Sequence, residues 1–174
     1  MRGGRPYPPS RIEELQLYHD VPAGCALLKQ AGFLLVVVTN QPDVGRGTQS
    51  RALVEAINQR LSDVIPFLDR VEVCFHAGEE YGEPCACRKP KPGMLLRAAQ
   101  ALGINLSESY LIGDRWRDVD CAHAAGCRAI FIDHRYGEQL RQPPDATVST
   151  FAEAVIAILS AVGIAPCFPV GSTH

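Results

Sequence analysis

Four side chains suited to a soft or borderline metal ion lie in one short stretch, CFHAGEEYGEPCACRKPKPG. They are Cys74, His76, Cys85 and Cys87, in the order C-x-H followed by C-x-C. Three sulfurs and an imidazole are the donors that tetrahedral Zn²⁺ prefers, and a set without an open position suits a structural ion. The intervening segment is polar and cannot pack on itself, so a metal would supply the free energy that orders it. A chance cluster and a redox pair are the competing readings. Arg88 and Lys89 follow the last cysteine directly. A rigid clip would therefore present two cations, whereas without it they would form a solvated basic turn.

Further polar groups stand at predicted strand ends. Thr39 offers a hydroxyl, Lys89 a point charge, and Asp114 a hard oxygen ligand; Asp118 lies one helical turn further on. Together they are the parts that hold a phosphoryl group beside Mg²⁺. Singly, Thr39 could cap a turn, and the two aspartates could be helix N-terminal acids.

The elements that must position these groups alternate. PAGCALLKQ (Pro22–Gln30) is spaced as a helix and stops at Ala31-Gly32. FLLVVVTN (Phe33–Asn40) is a continuous apolar run, predicting a strand buried on both faces. Gln49–Ile65 reads as a helix ended by Pro66, and Arg70–Phe75 as a strand leading into the Cys/His loop. Pro92–Leu102 has proline at its start and Gly103 at its end, the helix asymmetry. Tyr110–Ile112, Arg128–Ile132 and Ala146–Val148 read as strands, with helices over Trp116–Ala125 and Phe151–Val162. This order predicts an α/β fold with a doubly wound parallel sheet. In such sheets chemistry gathers at the C-terminal strand ends. The expected organisation is a single domain over 1–164 with a loose tail over 165–174.

Composition narrows the function classes. Of 174 residues, 47% are hydrophobic and 21% charged, with a net charge of −2. These values fit an ordinary globular domain and do not suggest a nucleic-acid surface. No apolar stretch reaches membrane-span length. The opening MRGGRPYPPS lacks an apolar signal core, so the expected compartment is the cytoplasm. Seven cysteines, an odd number, argue against a disulfide framework. Cys25, Cys121, Cys127 and Cys167 are expected to be small core or surface residues.

VVVTNQ, CRKPKPGM and LIGDRWRD closely resemble motifs of the haloacid-dehalogenase superfamily of phosphatases. More narrowly, they resemble the heptose bisphosphate phosphatases and the related histidinol-phosphate phosphatases, whose zinc loop is similar to the C-x-H…C-x-C stretch. The resemblance spans roughly Tyr7 to Leu159. It implies a HAD-like, Rossmannoid fold. It also implies Mg²⁺-dependent removal of the 7-phosphate of D-glycero-D-manno-heptose 1,7-bisphosphate through an aspartyl-phosphate. By the same resemblance Thr39 would bind the transferring phosphoryl group and Lys89 would neutralise it. Asn40, Gln41, Arg46 and Arg88 would contact substrate. Asp114 would be the Mg²⁺ ligand, with Asp118 in support. The partner is a small phosphorylated sugar, and the chain is expected to be a monomer. Histidinol phosphate is the alternative substrate, and a non-catalytic zinc-stabilised binding module the alternative class.

One motif of that family is missing. Its nucleophile and its general acid lie in a D-x-D motif after the first, central strand, and no D-x-D precedes Thr39. Asp118 and Asp120 flank Val119 in the wrong helix to replace it. Two expectations follow: the VVVT and YLIG strands should have unpaired edges, and the chain as written should be inactive. An upstream start that restores strand and motif is favoured over a true fragment.

Overall fold

The computed structural model describes residues 9–165. Cys167 and the predicted tail beyond Ala165 lie outside them. The helices are α1 (Val21–Gln30), α2 (Pro42–Gly45), α3 (Arg51–Val64), α4 (Gly93–Leu102), α5 (Trp116–Ala125) and α6 (Phe151–Ala161). The strands are β1 (Val36–Asn40), β2 (Arg70–Cys74), β3 (Tyr110–Gly113), β4 (Arg128–Ile132) and β5 (Ala146–Val148). None of these helices is long and apolar enough to cross a membrane.

The element ends follow local chemistry. Ser50 and Thr150 cap α3 and α6, their hydroxyls accepting from the N–H groups of Leu53 and Glu153. Gly103 and Gly126 close α4 and α5 in the left-handed conformation. At Asp69 one side chain joins two elements. Its carboxylate accepts from Lys29 Nζ at 2.6 and 2.7 Å and from Leu35 N–H at 2.7 Å, fixing where α1 delivers the chain into β1.

Every strand pairing is parallel, yet the strands form two sheets, β1-β2 and β3-β4-β5. The bonds at the sheet ends show which groups are used. Leu35 C=O accepts from Asp69 N–H, and Gln41 N–H donates to Cys74 C=O. Backbone groups alternate along a strand, so those of Val36 and Val38 face away from β2. Ser109 C=O accepts from Arg128 N–H, so those of Tyr110 and Ile112 face away from β4. Among the described residues no strand pairs with either edge. Between them lies an apolar slot of about 380 Å³.

Two hydrophobic clusters flank this level. Leu28, Ile158 and Leu159 pack with Leu35, Tyr110 and Ile112 on the α1/α6 side. Val119 and Ala122 pack with Leu111, Val38 and Leu95 on the α4/α5 side. The arrangement is thus the doubly wound α/β fold, with parallel strands covered on both faces. The predicted strand Phe33–Asn40 is corrected to Val36–Asn40. It is half-buried throughout, not buried on both faces, because nothing pairs along its second edge. Arg46 directly follows the one-turn helix α2. Cys25, Cys121 and Cys127 are buried free thiols, as expected of small apolar residues.

Candidate functional site

The Cys/His loop closes on itself. The donor atoms of Cys74, His76, Cys85 and Cys87 lie within 4.8 Å of one another. Cys74 Sγ is 3.8 Å from Cys85 Sγ and 3.1 Å from Cys87 Sγ; His76 Nδ1 is 3.5 Å from Cys74 Sγ and 3.3 Å from Cys87 Sγ. Tetrahedral zinc with bonds of about 2.3 Å to sulfur and about 2.0 Å to nitrogen places its ligands roughly 3.5–3.8 Å apart. The donor set and its size fit a zinc ion, with the Cys74 and Cys87 sulfurs, 3.1 Å apart, needing to part by roughly 0.7 Å. Burial and the nearby Cys87 push the Cys74 thiol up to about 12, so a cation is what would allow thiolates here.

The loop is anchored from behind. Cys74 and Cys87 pack on fully buried Met94 at the start of α4. Gly93 permits that approach: a Cβ there would stand 2.3 Å from Ala86 O, which accepts from Gly93 N–H at 3.0 Å. Fixing Cys87 fixes Lys89, and Lys89 is fixed a second time. Its N–H donates to Asn40 Oδ1 (3.0 Å), and its C=O accepts from Asn40 Nδ2 (3.1 Å). Its Nζ donates to Val38 C=O (2.8 Å) and stands 2.7 Å from Asp118 Oδ1.

Asp118 is 5% exposed, and its charge is compensated locally. Oδ2 accepts from Arg115 N–H at the mouth of α5. Oδ1 has no aligned hydrogen bond, so its contact with Lys89 is an ion pair off the hydrogen-bond axis. Gly113 makes room for this carboxylate; a Cβ would lie 2.4 Å from Asp118 Cβ.

Thr39, Asn40, Gln41, Asp43, Arg46 and Arg117 line an open cavity of about 460 Å³ at the C-terminal end of β1. Gln41 Nε2 donates to Thr39 Oγ1 at 3.2 Å. Arg46 is steered by Asp43 (3.6 Å), Glu80 (3.3 Å) and the Tyr81 ring (4.7 Å). The structure thus brings Thr39, Asn40, Gln41 and Arg46 to one cavity, with Lys89 joined to it through Asn40. Arg88 does not line it; its guanidinium reaches His76 C=O at 3.5 Å, on the loop side. Asp114 is partly exposed beyond β3, 3.9 Å from Arg115 Nε.

Two cations escaped the reading of the sequence. Arg115 is held at 3.0 Å by Glu138, which also accepts from Trp116 N–H (3.2 Å), and its guanidinium lies 5.4 Å from the Tyr136 ring centre. Arg117 lines the cavity. Their placing in R-W-R-D, around the start of α5, was the available signal.

A family model described as HAD-hydrolase-like matches residues 86–154. D-glycero-beta-D-manno-heptose-1,7-bisphosphate 7-phosphatases are similar over much of the chain. That of Vibrio cholerae is 36% identical over 150 residues, 82% of this chain and 80% of its own. That of Yersinia pestis is 39% identical over 66% of this chain and 65% of its own, and that of Escherichia coli K12 is 42% identical over 56% of each. In these last two the matched stretch is thus less than two thirds of the relative's length. The fold is similar to D,D-heptose 1,7-bisphosphate phosphatase from B. bronchiseptica, solved with magnesium and phosphate. The TM-score is 0.74 at 24% identity, covering 87% of this chain and 88% of that one. A HAD-like protein from Mesorhizobium loti gives a TM-score of 0.73 at 27% identity, covering 88% and 77%.

Proposed function

The chain belongs to the family of D-glycero-beta-D-manno-heptose-1,7-bisphosphate 7-phosphatases, and from that membership we propose that it serves hydrolysis of the 7-phosphate of D-glycero-D-manno-heptose 1,7-bisphosphate. The observation that carries this reading is the double clamp on Lys89. Its backbone is held by Asn40 at the end of β1, and its amine stands between Val38 C=O, in the middle of β1, and Asp118 in the first turn of α5. A lysine whose backbone is tied to Asn40 of the strand-end cavity is a ready counter-charge for a phosphoryl group bound beside it.

In this reading Thr39 Oγ1, oriented by Gln41, donates to a phosphoryl oxygen, and Lys89 neutralises its charge. Asp114 would hold magnesium, with Asp118 in support; the ion supplies charge neutralisation and orientation of the phosphoryl oxygens. Arg46, which lines the cavity, would contact the sugar; Arg88, turned to His76 C=O, would have to swing from the zinc loop to do so. Zinc on Cys74, His76, Cys85 and Cys87 would be structural, holding the loop that ends in Lys89. The thiol ligands favour a reducing compartment, which supports a cytoplasmic protein; we read it as a monomer acting on a small sugar phosphate.

The attacking carboxylate is not among the residues ahead of Thr39, so Met1–His174 alone is expected to bind but not to turn over substrate. The test is calorimetric binding of inorganic phosphate with Mg²⁺, followed by phosphate release from the heptose bisphosphate and from histidinol phosphate. Binding that Asp114→Asn and Lys89→Ala each weaken supports the site. Binding indifferent to both removes it. Faster release from histidinol phosphate would reassign the substrate.

A further inference from the structure

Two guanidiniums line the strand-end cavity, and they differ in what answers their charge. Arg46 is paired with Asp43 at 3.6 Å and with Glu80 at 3.3 Å. Arg117 lines the same cavity half-buried, and among the described residues no carboxylate forms an ion pair with it. The two acids three positions to either side are turned elsewhere: Asp114 stands nearest Arg115, and Asp120 accepts from Gln142 Nε2 at 3.3 Å. The neighbouring cations have partners, Lys89 in Asp118 at 2.7 Å and Arg115 in Glu138 at 3.0 Å. Helical spacing sets where Arg117 points. Cys121, four positions on and so on the same face of α5, is fully buried and donates to Lys91 C=O at 3.4 Å. Trp116 lies on another face, with the Arg141 guanidinium 3.5 Å from its ring centre. Arg117 therefore rises from the side of α5 that meets the RKPKP segment, while Arg46 enters the cavity from the end of α2.

We propose that Arg117, with Arg46, forms a second anion subsite that takes the phosphate remaining on the sugar, and that Arg117 is the residue by which the site selects esters with an anionic far end. This rests on the phosphatase reading above, in which the transferring phosphoryl group lies at Thr39 and Lys89. A cavity of about 460 Å³ falls in the range of small-ligand pockets, roughly 300–1,000 Å³, so a phosphoryl group at Thr39 leaves room for the body of the ester. The unanswered charge in that room belongs to Arg117. A half-buried guanidinium without a partner is unfavourable until a ligand brings negative charge to it. A phosphate oxygen pair matches its planar fork with two parallel N–H···O bonds. Glu80 is exposed, so it can yield Arg46 to the incoming phosphate while Asp43 keeps the side chain in place. The same charge works against histidinol phosphate, whose far end carries an ammonium group that would face Arg117.

The test is calorimetric binding to the full chain, with Mg²⁺ and Zn²⁺ present, of the heptose 1,7-bisphosphate, the heptose 7-phosphate and histidinol phosphate. Wild type should prefer the bisphosphate to the 7-phosphate. Arg117→Ala should cut that preference by about tenfold or more, the worth of a charge-assisted hydrogen bond. Arg117→Lys keeps the charge and loses the fork, so its preference should fall between the two. Arg117→Glu should weaken the bisphosphate and tighten histidinol phosphate. A merely structural Arg117 would weaken both sugar esters alike, so an unchanged ratio in Arg117→Ala overturns the proposal. A wild type that does not favour the bisphosphate overturns it as well. The NMR signals of the Arg46 and Arg117 Nε–H groups, followed as inorganic phosphate is added, separate this subsite from the transfer site. Both signals should shift, and should still shift in Lys89→Ala. If they shift while phosphate affinity ignores Lys89→Ala and Asp114→Asn, the transfer site is lost and the subsite stands. If both stay still, the subsite is overturned, whether or not Lys89-dependent binding is intact.

Discussion

Asn40 and Lys89, 49 positions apart, grip each other through reciprocal hydrogen bonds of 3.1 and 3.0 Å. Each is a side-chain amide bond to a backbone group, so the end of β1 and the C-x-C loop are locked in one register. Asn40→Ala leaves a part-buried N–H and C=O of Lys89 without partners. At roughly 1 kcal/mol per hydrogen bond, the expected cost is about 2 kcal/mol in denaturant unfolding. Asn40→Asp keeps the acceptor for Lys89 N–H and loses the donor to its carbonyl, so it should fall between Ala and wild type. Equal stability of all three would show that the clamp contributes nothing.

Gly113 and Asp118 meet so closely that no side chain fits between them; an added Cβ would lie 2.4 Å from Asp118 Cβ and 2.7 Å from its Oδ2. Gly113→Ala should therefore displace the carboxylate from Lys89 and from Arg115 N–H. Overpacking of this kind costs about 1–3 kcal/mol. The melting temperature should drop, and Mg²⁺-dependent phosphate binding should weaken with it. A variant with wild-type binding would mean that the ion pair with Lys89 does not shape the site.

How far the sequence foretold this site depends on how local each signal was. α5 and strands β4 and β5 were legible to the residue, because apolar runs are bounded by Gly113, Gly126 and turn residues nearby. The metal loop was legible because its donors are close in sequence. β1 was read too long and too buried: Phe33–Leu35 are apolar enough for a strand, but pairing is a long-range property, and one edge has no partner. Arg115 was missed for a related reason. Its orientation comes from Glu138, 23 positions on, in a loop with no periodic signal. Arg88 sits beside Lys89 in sequence, yet its side chain turns to His76, a choice made by the closed loop.

Acid should loosen the fold in a defined window. Asp69 and Glu72 both sit below the ordinary carboxylate value. Burial alone would raise each, but Lys29 and the Leu35 N–H outweigh it at Asp69, and Arg70 and Arg97 outweigh it at Glu72. A carboxylate with a depressed folded pKa adds stability that is present above its unfolded pKa of about 4 and lost as pH falls through the folded one. The unfolding midpoint should be flat above about pH 5 and fall below about pH 4. Asp69→Asn should cost about 1 kcal/mol at neutral pH, since its partner Lys29 is partly solvated, and should flatten the acid limb. A limb as steep as wild type would exclude Asp69 as a source.

Cysteine substitutions should separate the metal from the core. Cys74 is fully buried against Met94, whereas Cys85 is partly exposed on the outer side of the loop. Both would offer a sulfur to a zinc ion held by the cluster. Cys85→Ser should lower zinc content from one per chain toward none and speed amide exchange over residues 77–86, with little change in the exchange of β2. Cys74→Ser should do the same and also destabilise β2 and α4, because a hydroxyl is then buried among apolar neighbours at a cost of about 1–3 kcal/mol. Chelation of wild type should reproduce the Cys85→Ser pattern. If chelation leaves the loop amides unchanged, the cluster holds itself without a metal, and the loop's order comes from Glu83, which accepts from Ala77 N–H at 2.9 Å, and from the packing behind Cys87.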